Sequence, residues 1–332
     1  MVGIVAYGAY VPRLRLNRQA VYDANKWFAA GLRGLAKGER SMANWDEDSI
    51  TMAVEASRDC LTSHKAEDVR NIYFASTTHP FKDRQNAGVI GTALNVEQNL
   101  AATDIGGSLK AGTSALIAGL NASKEGAPTL VAAADKRMAR VASSNELNYG
   151  DGAAALLCGT ENVIAKLVGH HSVSMDFVDH FRGDESDFDY GWEERWIRDE
   201  GYSKIVPPAI KAALAACKLN GSDVTHFIMP SLMPAVPKQM AKMVGIGEGA
   251  VRDLLGATLG DTGAAHALVM LVDALEGAKA GDKIMVVAFG QGVDILVFEV
   301  TAEKDKLPAR KGLSGWMARR KEEKNYMKFL AF

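Results

Sequence analysis

The segment Asp104–Leu120, DIGGSLKAGTSALIAGL, reads as a strand end, a glycine turn and a helix of small residues whose first position is Leu109. This layout sets one side chain at the mouth of a buried helix, where a thiolate would launch acyl transfer. Leu109 offers an isobutyl group instead and cannot form a covalent acyl intermediate. Other residues could move protons. His266, in GDTGAAHAL, lies one turn into a second small-residue helix and four residues after Thr262. A helix N-terminus favours neutral imidazole, which can take a proton from a hydroxyl; a core histidine bonded to a backbone carbonyl would show the same pattern. Asp261 is an N-cap by position, or a base if it is desolvated and faces a cavity. His79, in STTHPFKDR, follows a strand at the edge where α/β sites are built, and suits proton transfer, substrate contact or a plain loop role. Ser108 adjoins Leu109, but neighbouring residues point apart and a serine needs an activating base. Tyr149 could give its phenol to an oxyanion or pack at an interface.

His170, His171, Asp176, Asp179 and His180 lie close together, yet their spacing matches no compact ligand motif, and no metal is expected. The neighbouring WEERWIRDEGY reads as a helix with alternating charge and aromatic anchors, suited to a subunit contact or a substrate lid. Cys60, Cys158 and Cys217 fall in apolar patterns as buried, inert thiols. GIGEGA at Gly245–Ala250 lacks the strand-to-helix setting of a phosphate cradle.

The elements that must position these residues occur twice in the same order. In the first half come the strand IYFAST, the helical DRQNAGVIGTALN, the small-residue helix KAGTSALIAGLNASKEG and the strands TLVAAADKR and GDGAAALLCG. In the second half HFIMPS, VPKQMAKMVGI, TGAAHALVMLVDALEGAKAG, KIMVVAFGQG and VDILVFEV repeat the sequence of types. Helices rich in Ala and Gly all round are buried all round, since only small side chains let backbones approach closely. One such helix per half suggests two sheets sandwiching the pair, and so a duplicated five-layer αβαβα domain of the α/β class. Residues 1–165 and 166–300 form the two halves and 301–332 a basic tail; 17–45 and 174–202 are insertions outside the repeat. A net charge of −2 over 332 residues gives no electrostatic case for nucleic acid or membrane surfaces. With no basic leader and no apolar run of spanning length, a soluble cytoplasmic protein is expected.

The motifs VGIVAYGAYVP, DEDSITMAVEA, DIGGSLKAGT, NYGDGAAALLCG, LGDTGAAHAL and VVAFGQG, in this order, resemble the thiolase superfamily, closest to its ketoacyl synthase III and 3-hydroxy-3-methylglutaryl-CoA synthase branch. The resemblance covers roughly Val2–Val300 and implies a thiolase-like fold and a coenzyme A thioester as substrate. It also implies what has changed. Leu109 stands where the family has its nucleophilic Cys, Ser231 after Pro230 where ketoacyl synthases have a His, Asp261 where they have an Asn, and Thr77 near the synthases' general-base Glu. The FGxG turn, Phe289–Gly292, resembles the family's oxyanion loop, with the Gly292 N–H as donor and the Leu109 N–H as its partner. Backbone donors do not depend on side chains, so enolate stabilisation can outlive the thiolate.

The expected function is therefore acyl-CoA processing at a carbon–carbon bond beside a thioester without a Cys acyl-enzyme. Retro-aldol cleavage of a β-hydroxyacyl-CoA needs only a base and an oxyanion hole. Acyl transfer shared with a Cys-bearing thiolase subunit is a second possibility, and a non-catalytic scaffold that positions an active partner a third. The resemblance implies a homodimer and a small zinc-ribbon/OB-fold partner protein. The tail, with Trp316, Tyr326, Phe329 and Phe332, is expected to dock a partner or lead to such a module.

Overall fold

In the computed structural model, which describes every residue except Glu97, the strand β1 (Gly3–Tyr10) is buried almost throughout because it lies inside a nine-stranded sheet. After β1 and the first insertion the chain enters α2 (Ser49–Cys60), whose Asp48 cap and Thr51 bond each other's backbone N–H reciprocally. It continues through β4 (Asn71–Ala75), α3 (Asn86–Ala93), β5 (Ala101–Ile105), α4 (Ala111–Ala122), β6 (Thr129–Asp135) and β7 (Gly152–Gly159). These strands lie in the order β5-β4-β6-β7-β1, with β4 parallel to both neighbours and the β6–β7 and β7–β1 pairs antiparallel.

The second half retraces this path through β8 (Ala165–Ser174), α7 (Ser203–Cys217), β11 (His226–Ile228), α8 (Val236–Met243), α9 (His266–Gly277), β12 (Lys283–Phe289) and β13 (Gly292–Val300). Its order is β11-β12-β13-β8, with the same alternation of parallel and antiparallel pairs. The counterpart of β5 shrinks to one parallel bridge, Phe227 to Val251. Glycines 245, 247 and 249 precede it, and a glycine-rich stretch makes a turn more readily than a strand.

The duplicated five-layer arrangement read from the sequence is present. α2 and α3 cover one half-sheet, α7 and α8 the other, and α4 and α9 lie between. The two expected sheets are halves of one, since β1 also pairs with β8 through Gly3 and Ile4. Small residues make the middle layer possible. A Cβ on Gly112 of α4 would sit 2.2 Å from the Ala264 carbonyl oxygen just before α9.

The insertions frame this core. Residues 17–45 supply α1 (Arg18–Asn25) and β3 (Glu39–Met42), which pairs with β2 (Leu14–Asn17). Residues 174–202 form a hairpin of β9 (His180–Phe181) and β10 (Tyr190–Gly191), the short α6 (Glu194–Trp196) and a widened helical turn over Ile197–Tyr202 that runs into α7. The tail, expected to seek a surface elsewhere, finds one on its own chain. Its α10 (Gly312–Ala318) is capped by Asp59, which accepts from Lys311 and Gly312 N–H at 2.9 and 2.8 Å. Trp316 packs edge-on against Tyr10 at 4.5 Å. β14 (Lys321–Glu323) joins β2 as a parallel strand, and in α11 (Tyr326–Ala331) the Tyr326 hydroxyl donates to Glu146 at 2.7 Å. Phe329 and Phe332 pack on the same apolar cluster, and Met327 and Leu330 stay exposed.

Gly112→Val, by driving side-chain atoms into the Ala264 backbone, should destabilise the chain by about 3 kcal/mol or more. Thermal unfolding measures it, with Gly107→Ala, in open space but at positive φ, expected to cost only about 1 kcal/mol.

Candidate active site

Two connected chambers meet at the start of α4. The inner one, of about 340 Å³, is bounded by Leu109, Asp261 and Tyr149, by Ser231 just after β11, and by Trp192 and Tyr202 from the insertion. The outer one, of about 990 Å³, opens toward solvent past Thr77, His79, Ser108 and Gly290. Leu109, Asp179 and His180 line both chambers and so mark their junction. Leu109 thus lies at this junction, two residues ahead of α4. Cys60 and Cys158 are fully buried away from the chambers, and burial pushes the Cys60 thiol up to about 12.

The support beneath this junction is a carboxylate that the sequence analysis passed over. Asp135, at the end of β6, accepts from Ser76 Oγ (2.8 Å), Thr77 N (2.7 Å), Thr77 Oγ1 (2.9 Å), Thr78 Oγ1 (2.9 Å) and Ala264 N (2.7 Å). One side chain so fixes the loop after β4 and the turn that leads into α9. Thr77 reaches the outer chamber, but its hydroxyl is turned to Asp135 and its carbonyl accepts from Arg182. The signal was legible only as a lone Asp ending an apolar strand.

Asp261 faces the inner chamber. Burial would raise its pKa, but the Arg137 guanidinium in contact with it, with help from His266 and the Gly263 N–H, holds it below the ordinary carboxylate range. It is an ionised partner of Arg137 and a poor base. Arg137 also stacks over the Tyr149 ring at 3.7 Å, and the Tyr149 hydroxyl donates to Asp189 at 2.7 Å. Asp189 accepts from Arg182 as well, at 2.7 Å, so the hairpin of residues 180–191 is pinned over the chambers.

Two expected groups stand elsewhere. His266 lines neither chamber: its Nε2 donates to the Leu254 carbonyl at 2.9 Å and its Nδ1 accepts from Thr262 N–H at 3.2 Å. With both nitrogens used inside the core, it braces the start of α9 and has no free lone pair for chemistry. Gly292 is embedded in the sheet opposite Ser174, where a Cβ would come within 2.0 Å of the Val173 carbonyl oxygen. The turn shows Gly290 and Gln291 to the outer chamber instead. Gly290 lies against Leu109 N, although its own N–H is spent on the Gly292 carbonyl at 3.0 Å. The Leu109 N–H makes no hydrogen bond among the described residues.

Ser108 Oγ donates to the Gly290 carbonyl at 2.7 Å and accepts from Lys110 N–H at 3.2 Å, a clamp between α4 and the turn. His79 borders the outer chamber edge-on to Phe74, with a buried Nε2 that has no partner among the described residues. Ser231 reaches the inner chamber beside Tyr202. The clustered His and Asp of residues 170–180 separate. His170 and His171 lie along β8 against Leu296 and Ile295, whereas His180 Nδ1 lies 3.0 Å from Asp179 Oδ1 at the junction. Read as metal ligands or nothing, these two were missed as a cavity pair. No three His, Cys, Asp or Glu residues are grouped to hold a metal ion among the described residues. Nor is any helix there long and apolar enough to cross a membrane.

Arg137→Met should cost about 3–5 kcal/mol by leaving Asp261 buried and unpaired, and Arg137→Met/Asp261→Asn should recover part of that loss in chemical denaturation. Because the folded Asp261 pKa is depressed, the stability it adds is complete above the ordinary carboxylate range and lost as pH falls through the lowered value. His266→Ala should lower stability by about 1–3 kcal/mol through the orphaned Leu254 carbonyl, with any catalytic rate changed less than threefold once the protein is folded.

No family model matches the sequence. Curated relatives align along nearly the whole chain. The hydroxymethylglutaryl-CoA synthase of Caldivirga maquilingensis is 28% identical over 341 residues, 99% of this chain and 95% of the relative. That of Pyrococcus horikoshii is 29% identical over 321 residues, 94% and 89% of the two. A crystal structure of an HMG-CoA synthase complexed with CoA superposes with a TM-score of 0.84 at 17% identity, covering 98% of this chain and 89% of that one. The 3-oxoacyl-[acyl-carrier-protein] synthase III of Aquifex aeolicus gives 0.78 at 18% identity, covering 90% and 100%. With its doubled sheet, paired inner helices and cavity at the start of α4, the chain has a thiolase-like α/β fold and is similar along nearly its whole length to hydroxymethylglutaryl-CoA synthases.

Proposed function

We propose that the chain processes acyl-CoA thioesters at the carbon–carbon bond beside the thioester, without a covalent acyl-enzyme, and that its reaction is retro-aldol cleavage of a β-hydroxyacyl-CoA. The carrying observation is Leu109 at the junction of the chambers with no cysteine among their lining residues. A base removes the β-hydroxyl proton, and the oxygen's electron pair becomes the new carbonyl. The Cα–Cβ bond breaks, and its electrons pass into an enolate held at the thioester oxygen. A proton then returns to Cα, giving a carbonyl compound and a shortened thioester with no further reactant. The Leu109 N–H, at the N-terminal end of α4, supports this reading as the donor toward the enolate oxygen. The substrate class rests on the homology to hydroxymethylglutaryl-CoA synthases, and the inner chamber is of a size to hold a small acyl chain.

The test offers purified protein, alone and with whatever co-elutes, a panel of 3-hydroxyacyl-CoA thioesters with and without iodoacetamide. Cleavage should resist alkylation in the wild type and become alkylation-sensitive, by more than tenfold, in Leu109→Cys. Activity that is alkylation-sensitive and resides in a co-eluting Cys-bearing subunit would mean shared acyl transfer; no turnover in any complex would mean a scaffold that positions a partner.

A further inference from the structure

His180 comes from the insertion, at the first position of β9, and its placement is over-determined. Its backbone pairs with Gly191 across the hairpin, its N–H donates to Asp179 Oδ1 at 2.9 Å, and its Nδ1 lies 3.0 Å from the same oxygen. Asp179 is itself tied down, its carbonyl accepting from Trp192 N–H at 2.9 Å. With Nδ1–H given to the carboxylate, Nε2 keeps the lone pair, and the side-chain contact recorded for the ring is the one from Nδ1 to Asp179. Both residues line both chambers, as Leu109 does. An imidazole oriented by a carboxylate and open to the cavity is the arrangement a general base requires. The other candidates fail that test: His266 is spent in the core, Asp261 is neutralised by Arg137, and His79 has a buried Nε2 and no carboxylate bonded to its ring among the described residues.

We propose that His180 is the general base and acid of the cleavage and Asp179 the residue that positions it. The inference rests on the reading of the site as a retro-aldolase. Neutral His180 takes the β-hydroxyl proton at Nε2 and, as the imidazolium, returns that proton to Cα of the enolate, so the pair ends each turnover as it began. The groups facing it set its titration. Burial disfavours the imidazolium, but the hydrogen bond and charge of Asp179, joined by Asp189, outweigh this, with Arg137 opposing them; the net shift is upward. Glu194, Asp261 and the phenols of Tyr149 and Tyr202 complete the ionisable lining of the inner chamber. Activity should therefore fall on the acid side as pH drops through a value above that of an ordinary histidine.

Two readouts test the pair in the full-length protein: cleavage of the 3-hydroxyacyl-CoA panel, and solvent-deuterium exchange into the methyl group of acetyl-CoA followed by NMR. The second needs only the proton transfer at Cα. His180→Gln should reduce both by about 100- to 10,000-fold while keeping the wild-type unfolding temperature. Asp179→Asn should keep partial activity and move the acid limb of the pH profile to lower pH. Cleavage in His180→Gln within threefold of wild type, or an unmoved acid limb in Asp179→Asn, overturns the assignment and leaves the retro-aldol reading standing. If His180→Gln does not fold, the Asp179→Asn limb decides alone. Wild-type protein with neither cleavage nor exchange overturns the retro-aldol reading, and the assignment with it.

Discussion

A carboxylate with five hydrogen bonds and no solvent contact is a costly thing to bury, and Asp135 is tolerated because every bond it accepts is already fixed by the fold. It reaches from the end of β6 into the loop after β4 on one side and the turn before α9 on the other. Those two loops, with the start of α4, make the walls of the chambers. The close approach of α4 to the Ala264 carbonyl, possible only for Gly112, holds the same turn from beneath. Loop geometry at the site is thus set by the middle layer of the fold, and the side chains that face substrate ride on it.

The isobutyl group of Leu109 offers no nucleophile at the junction of the chambers. A nucleophilic cysteine would need a positive or base-like neighbourhood to stay ionised. Here the inner chamber carries an internally compensated pair, Arg137 with Asp261, and an imidazole matched to its own carboxylate. The insertion of residues 174–202 supplies the imidazole and, through Asp189 between Tyr149 and Arg182, also fastens itself over the opening. The proposed base and this fastening share one segment.

The doubled order of elements, the small-residue helices α4 and α9 and the exceptional position of Leu109 were all readable along the chain, because each depends on local periodicity or on one residue in a strong context. Four features were not. The two sheets merge because Gly3 and Ile4 pair with Lys166 and Ala165, a contact across more than half the sequence that no local pattern encodes. The tail looked as though it needed a partner since its aromatics were visible while the surface that receives them, Tyr10 and Glu146 among others, was not. His266 had the right address at a helix start, yet the Leu254 carbonyl and the Thr262 N–H that consume its nitrogens are brought in by the turn around it. Gly292 was placed by motif alone, and the crowding by Val173 that keeps it in the sheet is a cross-strand property.

The amino-acid order alone determined the class of fold and placed a leucine just ahead of α4, since helical and strand periodicities and the identity of residue 109 are properties of neighbouring residues. Only tertiary packing decided which ionisable groups face the cavity and which are consumed in the core. A histidine's usefulness as a base depends on what its two nitrogens touch, and for His180 and His266 those partners are fixed by turns and pairings that form only when the chain closes on itself.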